Sequence, residues 1–334
     1  MSQLPFSLAF GGLEIQVLET AKALRKLGVD VELLNPWEPE FTADLLHCFS
    51  SEYQLWEIVS RAKGKGIPVV VSAIFGPKAP EAFYRLWRWV DPIVPMQTTF
   101  RLRAKILRAA EATIVHSEPE AEDLVRFFGV SRERIHIIPN GVRALGEGDP
   151  ERFANQFGLR RFALCVAGIE RGKNQLRLIR AVRGTDIPLV LIGAPRPDEA
   201  GYVEAVRGAV RESGQVVWIE GLPPDSLLLA SAYRVAHVHV LPSLSEVQGM
   251  ASLEAAAAGA NLVMSNLPYL RELFGDYAWY CNPRSVGSIR KAVLETWGAP
   301  RGCQCVSPPP RLVSWEEVAR RLLAVYEGVL NKTR

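Results

Sequence analysis

Two glutamates, Glu246 and Glu254, lie on either side of Gly249 in a segment that follows a predicted strand and opens an alanine-rich helix. Met250 and Ala251 then stand where the helix begins, and their N–H groups and the positive end of the helix dipole suit a diphosphate. The glycine permits a ligand to approach the backbone closely. The two carboxylates fit beside an anion only if they face sugar hydroxyls. On spacing alone, a solvated loop residue and a surface helix residue explain them equally well.

A second pattern is a basic turn that contains Arg171 and Lys173, again between a predicted strand and a helix. Two cations at the carboxyl end of a strand can neutralise phosphate charge. Taken alone, a capped turn with ordinary surface charges is the simpler interpretation.

A third pattern is the pair Gly11 and Gly12, which precedes an amphipathic helix predicted over 13–27. A glycine pair before a helix permits close approach of a phosphate or a sugar. The sequence holds neither a G-x-G-x-x-G motif after a strand nor a P-loop motif, so dinucleotide and P-loop sites lose support.

Short β-type runs alternate with helical patterns along the chain. Strands are predicted at 29–35, 67–73, 112–116, 135–138, 162–167, 188–192, 216–219, 237–241 and 261–265. This alternation predicts an α/β protein with parallel sheets and helices on both faces. A small, polar stretch at 146–150 divides the series, so we expect two Rossmann-like domains that face each other across a cleft. The expected bounds are 1–145, 146–312, and a C-terminal helix over 313–334 that packs back on the first domain.

The 334 residues, 48% of them hydrophobic, suffice for two cores. A net charge of +3 does not indicate a nucleic-acid binder. No apolar run reaches the roughly 18 residues that a membrane span needs, and five cysteines fit no zinc framework. We therefore expect a cytoplasmic protein with reduced thiols, peripheral at most to the inner face of the membrane.

Together these patterns resemble the family-4 retaining glycosyltransferases of the GT-B fold, over nearly the whole chain. The matching positions are the spaced pair Glu246 and Glu254, the basic pair Lys173 and Asn174, the segment 138–142 (Ile-Pro-Asn-Gly-Val), and the Gly11–Gly12 loop.

The resemblance implies a hexosyltransferase that uses a nucleotide-diphosphate sugar and a glycan, lipid-linked or small-molecule acceptor. Glu246 would contact the donor sugar and Lys173 the diphosphate, and these two are the predicted catalytic residues. Further donor-binding residues would be Glu254 at the ribose hydroxyls, with Arg171, Gly249, Met250, Ala251, Gly11 and Gly12. Neither a metal nor a cofactor is expected. The anomeric configuration would be retained through front-face attack, without the nucleophile of a retaining glycosidase.

Two other functions stay open. A GT-B protein that binds nucleotide or glycan with weak or no turnover is one, because 71–76 holds no histidine and Gly168 stands where the family carries an arginine. A GT-B epimerase is the other, and the paired glutamates argue against it.

The stretch 83–108 combines aromatic and basic side chains: Tyr84, Trp87, Trp89 and Phe100 with Arg85, Arg88, Arg101, Arg103, Lys105 and Arg108. Such a face could rest on anionic lipid or hold a phosphorylated acceptor. A packed helix pair with a solvated charged face is the alternative, and nucleic acid is not an expected partner.

Overall fold

The computed structural model describes residues 11–302 and 312–333, except 36, 39, 41, 78, 92, 94, 95 and 147. Residues 1–10 and 303–311, which include Cys303 and Cys305, therefore lie outside the described residues. The chain divides into two compact units. Unit 1 comprises Met1–Gly141 and Val313–Arg334, and unit 2 comprises Val142–Leu312.

Unit 1 is built on a parallel sheet with the strand order β1-β2-β3-β4. The strands are β1 (Leu46–Phe49), β2 (Val69–Ser72), β3 (Ala112–Val115) and β4 (Ile135–Ile137). The helices are α1 (Gly12–Lys26), α2 (Trp56–Gly64), α3 (Glu81–Val90), α4 (Thr99–Ala109) and α5 (Glu118–Asp123), the last continued by a π-helical turn, Leu124–Phe128. Short 3-10 turns lie at Tyr53–Leu55 and Arg132–Arg134.

The C-terminal helix belongs to unit 1 and packs against α1. Lys26 Nζ donates to Glu316 Oε1 at 2.9 Å, and His47 Nδ1 lies 2.6 Å from the hydroxyl of Tyr326. Gly141 is required beside this helix, because a Cβ there would come within 2.6 Å of the Trp315 ring. The helix is α13 (Trp315–Thr333).

Unit 2 holds a second parallel sheet, with the order β10-β9-β8-β5-β6-β7. Its strands are β5 (Ala163–Val166), β6 (Leu189–Ile192), β7 (Val216–Ile219), β8 (Val238–Leu241), β9 (Asn261–Ser265) and β10 (Ala278–Cys281). Its helices are α6 (Pro150–Phe157), α7 (Gln175–Val182), α8 (Ala200–Ser213), α9 (Leu227–Val235), α10 (Met250–Ala257), α11 (Pro268–Phe274) and α12 (Val286–Gly298). Three-residue 3-10 turns lie at Arg171–Lys173, Pro197–Glu199 and Gly275–Tyr277.

The sheet of unit 2 has a core on each face. In β6, Leu189 and Leu191 point into one cluster, while Val190 and Ile192 point into the other. This explains why its strands are continuous apolar runs. The chain leaves β5 toward β6 and β7, then returns to the other side of β5 as β8. The strand order therefore reverses between β5 and β8, and ligands of open α/β sheets bind outside such a reversal.

The strand predicted at 29–35 is wrong: these residues form no strand and are half-buried or exposed, with Leu33 43% exposed. Instead β1 lies later, at Leu46–Phe49, where three of the four side chains are buried. The last strand, β10, was not predicted either. Its Trp279 and Tyr280 are only half-buried, so it lacks the continuous apolar run of the inner strands.

We expect acid to destabilise the fold through two buried histidines, His239 on β8 and His47 on β1, since burial lowers the pKa of each to about 3. Unfolded, they take up a proton near pH 6.5. Between these values the unfolded chain binds more protons than the folded one. The free energy of unfolding therefore decreases as the pH is lowered, by up to ~1.4 kcal/mol per pH unit for each histidine.

Urea unfolding of the wild type and a His239→Leu variant between pH 7.5 and 5 measures this effect. The variant should show a shallower pH dependence than the wild type. Equal slopes would show that His239 is protonated equally in the folded and unfolded states.

Candidate active site at the strand reversal of unit 2

Two loops leave the carboxyl ends of the adjacent strands β5 and β8, at 167–174 and 242–249. Backbone bonding joins them directly, since the N–H of Leu244 donates to the carbonyl of Gly172 at 2.8 Å. The strand order thus brings together the two chemically active patterns that the sequence keeps far apart.

Asn174 fixes the first loop in place. Its φ of +67° is a left-handed conformation, which asparagine tolerates better than most residues. Its buried side chain donates to the carbonyl of Pro242 at 2.9 Å and to that of Pro283 at 2.7 Å. One amide therefore ties the loop after β5 to the loop after β8 and to the segment after β10.

Lys173 and Glu246, one from each loop, form an ion pair with 2.7 Å between Nζ and Oε2. Ser243 Oγ donates to the same carboxylate oxygen at 3.1 Å. Burial by itself would lower the pKa of Lys173. The charge and hydrogen bond of Glu246, helped by Glu170, outweigh burial and raise that pKa above its usual value. Lys173 is therefore a cation throughout the physiological pH range.

Gly249 starts α10 in the left-handed conformation, with φ +64°. Its carbonyl accepts from the N–H groups of Ser252 and Leu253 at 2.8 and 3.2 Å. Met250 and Ala251 precede the first intrahelical donors, so their N–H groups are available to an anion. The predicted diphosphate-binding backbone is thus a genuine helix start.

Glu254 lies one turn into α10 and is 7% exposed. Arg143 donates to its Oε1 from Nε at 2.7 Å and also from Nη2, and the hydroxyl of Tyr233 donates to its Oε2 at 2.9 Å. Burial, followed by the charge of Glu254, raises the pKa of Tyr233 well above its usual value, so the hydroxyl keeps its proton.

Each of the two glutamates that resemble the family is therefore paired with one cation: Glu246 with Lys173, and Glu254 with Arg143. The formal charges of both pairs cancel. An anion at the positive end of α10 would therefore meet no net repulsion from the two carboxylates, which removes the electrostatic objection to an anion site here.

Arg171 and the glycine pair make contacts of their own. The guanidinium of Arg171 lies 5.5 Å from the ring centroid of Tyr202, and its backbone N–H donates to Glu199 at 2.6 Å. Gly11 and Gly12 begin α1 in unit 1, where the N–H of Gly11 donates to Glu14 Oε2 at 2.8 Å. Unit 2 thus brings together Lys173, Glu246, Gly249, Met250, Ala251 and Glu254, and the roles of Arg171, Gly11 and Gly12 in donor binding stay predictions.

Unit 1 has a buried polar cluster at the carboxyl end of β3. Glu120, fully buried, accepts from the N–H groups of Phe75 and His116 at 2.7 and 2.8 Å, and its Oε2 lies 3.2 Å from His116 Nδ1. The other ring nitrogen of His116 is 3.1 Å from the side-chain amide of Gln16 on α1. The cluster ties the helix after Gly11 to β3.

Sequence reasoning missed four residues of the unit 2 site: Arg143, Asn174 as a loop anchor, Tyr233 and Ser243. Asn174 beside Lys173 and Ser243 beside Glu246 were visible as polar neighbours in the motifs. Arg143 carries no local signal. Tyr233 opens a Tyr-x-x-Ala segment, 233–236, that also resembles the family, but only the folded chain shows that its hydroxyl reaches Glu254.

Two features are absent from the described part of the chain. No group of three or more His, Cys, Asp or Glu side chains there is placed to hold a metal ion. None of the described helices combines the length and apolar character that crossing a bilayer requires.

Family models match the chain on both sides of the unit division. The model described as Glycosyltransferase Family 4 matches residues 37–144, and the one described as Glycosyl transferases group 1 matches 149–297. The chain belongs to glycosyltransferase family 4. The second match contains every residue of the unit 2 site except Arg143. Family membership confirms the resemblance drawn from the motifs.

Curated relatives of this family 4 glycosyltransferase are distant. A D-inositol 3-phosphate glycosyltransferase of Acidothermus cellulolyticus is 26% identical over 49% of this chain and 40% of its own length. An MMP alpha-(1->4)-mannosyltransferase of Mycolicibacterium hassiacum is 26% identical over 73% of this chain and 61% of its own. The chain thus spans about half the length of these two relatives.

Solved structures confirm the GT-B fold. Anabaena HepE, in a complex with UDP and glucose, aligns with a TM-score of 0.73 at 15% identity, over 95% of this chain and 96% of its own. Sucrose-phosphate synthase from Thermosynechococcus elongatus aligns with a TM-score of 0.67 at 18% identity, over 96% and 92%.

A Gly249→Ala variant should lose stability. A side chain in the left-handed conformation costs about 1–2 kcal/mol. The new Cβ would also lie 3.3 Å from Met264 Cε and 3.5 Å from Ser252 Oγ. Gly208→Ala on α8 is the matched control, because no atom lies within 4 Å of its Cβ position and its φ is ordinary. Urea unfolding should show a loss for the first variant and none for the second. Equal stabilities would mean that position 249 does not hold this conformation.

Proposed function

We propose that the protein transfers a hexose from a nucleotide-diphosphate sugar to a hydroxyl of a glycan, lipid-linked or small-molecule acceptor. The observation that carries the proposal is the joined pair of loops where the strand order reverses between β5 and β8. These loops hold Lys173 and the start of α10 together at the carboxyl ends of the two strands. Family membership and the UDP seen with HepE support a nucleotide-sugar donor. They favour a transferase over the inactive binding protein.

The diphosphate leaves with the electron pair of the broken bond to the anomeric carbon. Lys173 and the N–H groups of Met250 and Ala251 stabilise the charge that develops on it, as a metal ion does in other enzymes. We propose on this ground that the reaction needs no metal and no cofactor. Rates unchanged by a chelator would support this part, and a rate restored only by a divalent cation would contradict it.

Retention follows if the acceptor oxygen attacks from the face that the diphosphate leaves and passes its proton to a diphosphate oxygen. Glu246 then serves the donor sugar as a hydrogen-bond acceptor and needs no covalent bond to it. Glu254 holds the ribose hydroxyls. Proton NMR of the first product formed would show an anomeric configuration equal to that of the donor, and inversion would contradict this mechanism.

Helix α3 is the proposed contact with anionic lipid, a narrower surface than 83–108. The basic residues of α4 are already engaged: Arg101 pairs with Asp91 at 3.1 Å, Lys105 lies 5.2 Å from the ring centroid of Trp56, and Arg103 pairs with Glu52. On α3, by contrast, three large apolar side chains are exposed, by 49, 63 and 79%: Phe83, Leu86 and Trp89. Two arginines of the same helix line a cavity beside Trp89: Arg85, which also pairs with Glu81 at 3.6 Å, and Arg88, which donates to the carbonyl of Arg126 at 2.8 Å.

A donor panel tests the transferase. Thermal shift with UDP, GDP and ADP sugars should find one that raises the melting temperature, because a ligand of the folded state stabilises it by mass action. The wild type should then release nucleoside diphosphate from that donor. Binding of a donor without release would favour the inactive protein.

A Lys173→Ala variant should release nucleoside diphosphate roughly 100- to 1000-fold more slowly, as expected for the loss of one preorganised donor to the leaving group. Lys291→Ala is the control, since that lysine of the same unit is 77% exposed. Undiminished release by Lys173→Ala would remove Lys173 from the mechanism.

The α3 contact predicts flotation with phosphatidylglycerol-containing vesicles at low salt and none with phosphatidylcholine alone. Trp89→Ser should reduce the floated fraction, because it removes an apolar anchor, whereas Trp37→Ser, at a tryptophan that is 90% exposed, should not. Equal flotation of both variants would exclude α3 as the contact.

A further inference from the structure

The carboxylate of Glu254 has too few open positions for a complete ribose. An ionised carboxylate offers about four acceptor positions. Nε and Nη2 of Arg143 and the hydroxyl of Tyr233 occupy three of them. A ribose presents two neighbouring hydroxyl donors, so one existing bond must open before both can reach Glu254.

Tyr233 is poorly suited to give up its bond. It is fully buried on α9, and opening the bond would leave its hydroxyl without a partner inside the core, which is costly. Arg143 differs, because its side chain is 13% exposed and lies in the irregular segment between unit 1 and α6. Water can satisfy its N–H groups once they are released, so the bond to Arg143 is the one that opens.

We propose that Arg143 competes with the donor ribose for Glu254 and thereby sets how strongly the protein selects a ribonucleotide over a 2′-deoxyribonucleotide. The inference rests on the proposed role of Glu254 in donor binding. In the wild type, one hydroxyl takes the remaining position freely, and the second binds only by displacing Arg143. The gain from the second hydroxyl is thus largely offset, and the two nucleotides should bind with similar affinity.

Removing Arg143 should increase the selectivity. Both hydroxyls then bind Glu254 with no guanidinium to displace, so the second one contributes the full value of a hydrogen bond to a charged group. We expect the ratio of dissociation constants, 2′-deoxyribonucleotide over ribonucleotide, to rise roughly tenfold or more in Arg143→Ala. Any general loss of affinity from a misplaced Glu254 weakens both nucleotides and cancels in the ratio.

Isothermal titration calorimetry measures the ratio with whichever of UDP, GDP or ADP binds the wild type, and with its 2′-deoxy counterpart. Arg160→Ala is the matched control: it removes a guanidinium of the same unit that is 67% exposed and pairs with Glu151, away from Glu254, so the ratio should stay at the wild-type value. Arg143→Gln serves as a second variant if Arg143→Ala fails to fold. Glutamine keeps a hydrogen-bonding N–H group without the positive charge, so the ratio of dissociation constants for this variant should lie between those of the wild type and Arg143→Ala.

The outcomes separate this inference from the proposed function. If none of the three nucleoside diphosphates binds the wild type, donor binding itself fails. If one binds but Arg143→Ala, or Arg143→Gln in its place, leaves the ratio within about twofold of the wild type, Arg143 only supports Glu254 and the competition is overturned. A raised ratio in the Arg143 variant, with an unchanged ratio in Arg160→Ala, supports it.

Discussion

The ion pair between Lys173 and Glu246 is the contact on which the rest of the site depends. It joins the loop after β5 to the loop after β8 at the one place where the strand order of the sheet reverses. The backbone bond from Leu244 to Gly172 and the side-chain amide of Asn174 join the same two loops. Because these links hold the loops together, a cation and a helix start face the same space although they come from distant parts of the sequence.

Pairing also decides how an anion can bind beside two carboxylates. The charges of Glu246 and Glu254 are each balanced by a neighbouring cation, and the N–H groups that open α10 add partial positive charge. In the proposed donor complex these pairs loosen or are shared when hydroxyls arrive, so donor binding would exchange internal bonds for bonds to the ligand. For Lys173, the partner could change from Glu246 to the diphosphate with no change in its protonation.

Much of the second unit could be predicted from the sequence. Eight of the ten described strands of the two units, five of them in unit 2, fall within or close to the predicted runs, because buried parallel strands are short apolar segments. The misses have physical causes. The run at 29–35 is apolar enough to suggest a strand, yet its side chains remain largely exposed, and β10 has half-buried aromatic residues in place of a buried run.

The resemblance to a known family located the glutamates and Lys173. It gave no sign of Arg143, and although it covers the segment 233–236 it did not show that Tyr233 bonds to Glu254, since a side chain that arrives from another segment leaves no pattern around Glu254. The basic residues of α4 show the opposite case. The sequence suggests an exposed charged face there, but in the structure these side chains contact Asp91, Glu52 and Trp56.

The central claim is that a nucleotide sugar binds at the two joined loops. Hydrogen exchange followed by mass spectrometry, with and without the donor that stabilises the protein most, tests it directly. The account predicts slower exchange in peptides covering 167–175 and 242–254 when the donor is bound, because the N–H groups of the loops and of the start of α10 contact the ligand. Protection confined to other segments, with unchanged exchange in both of these, would contradict it.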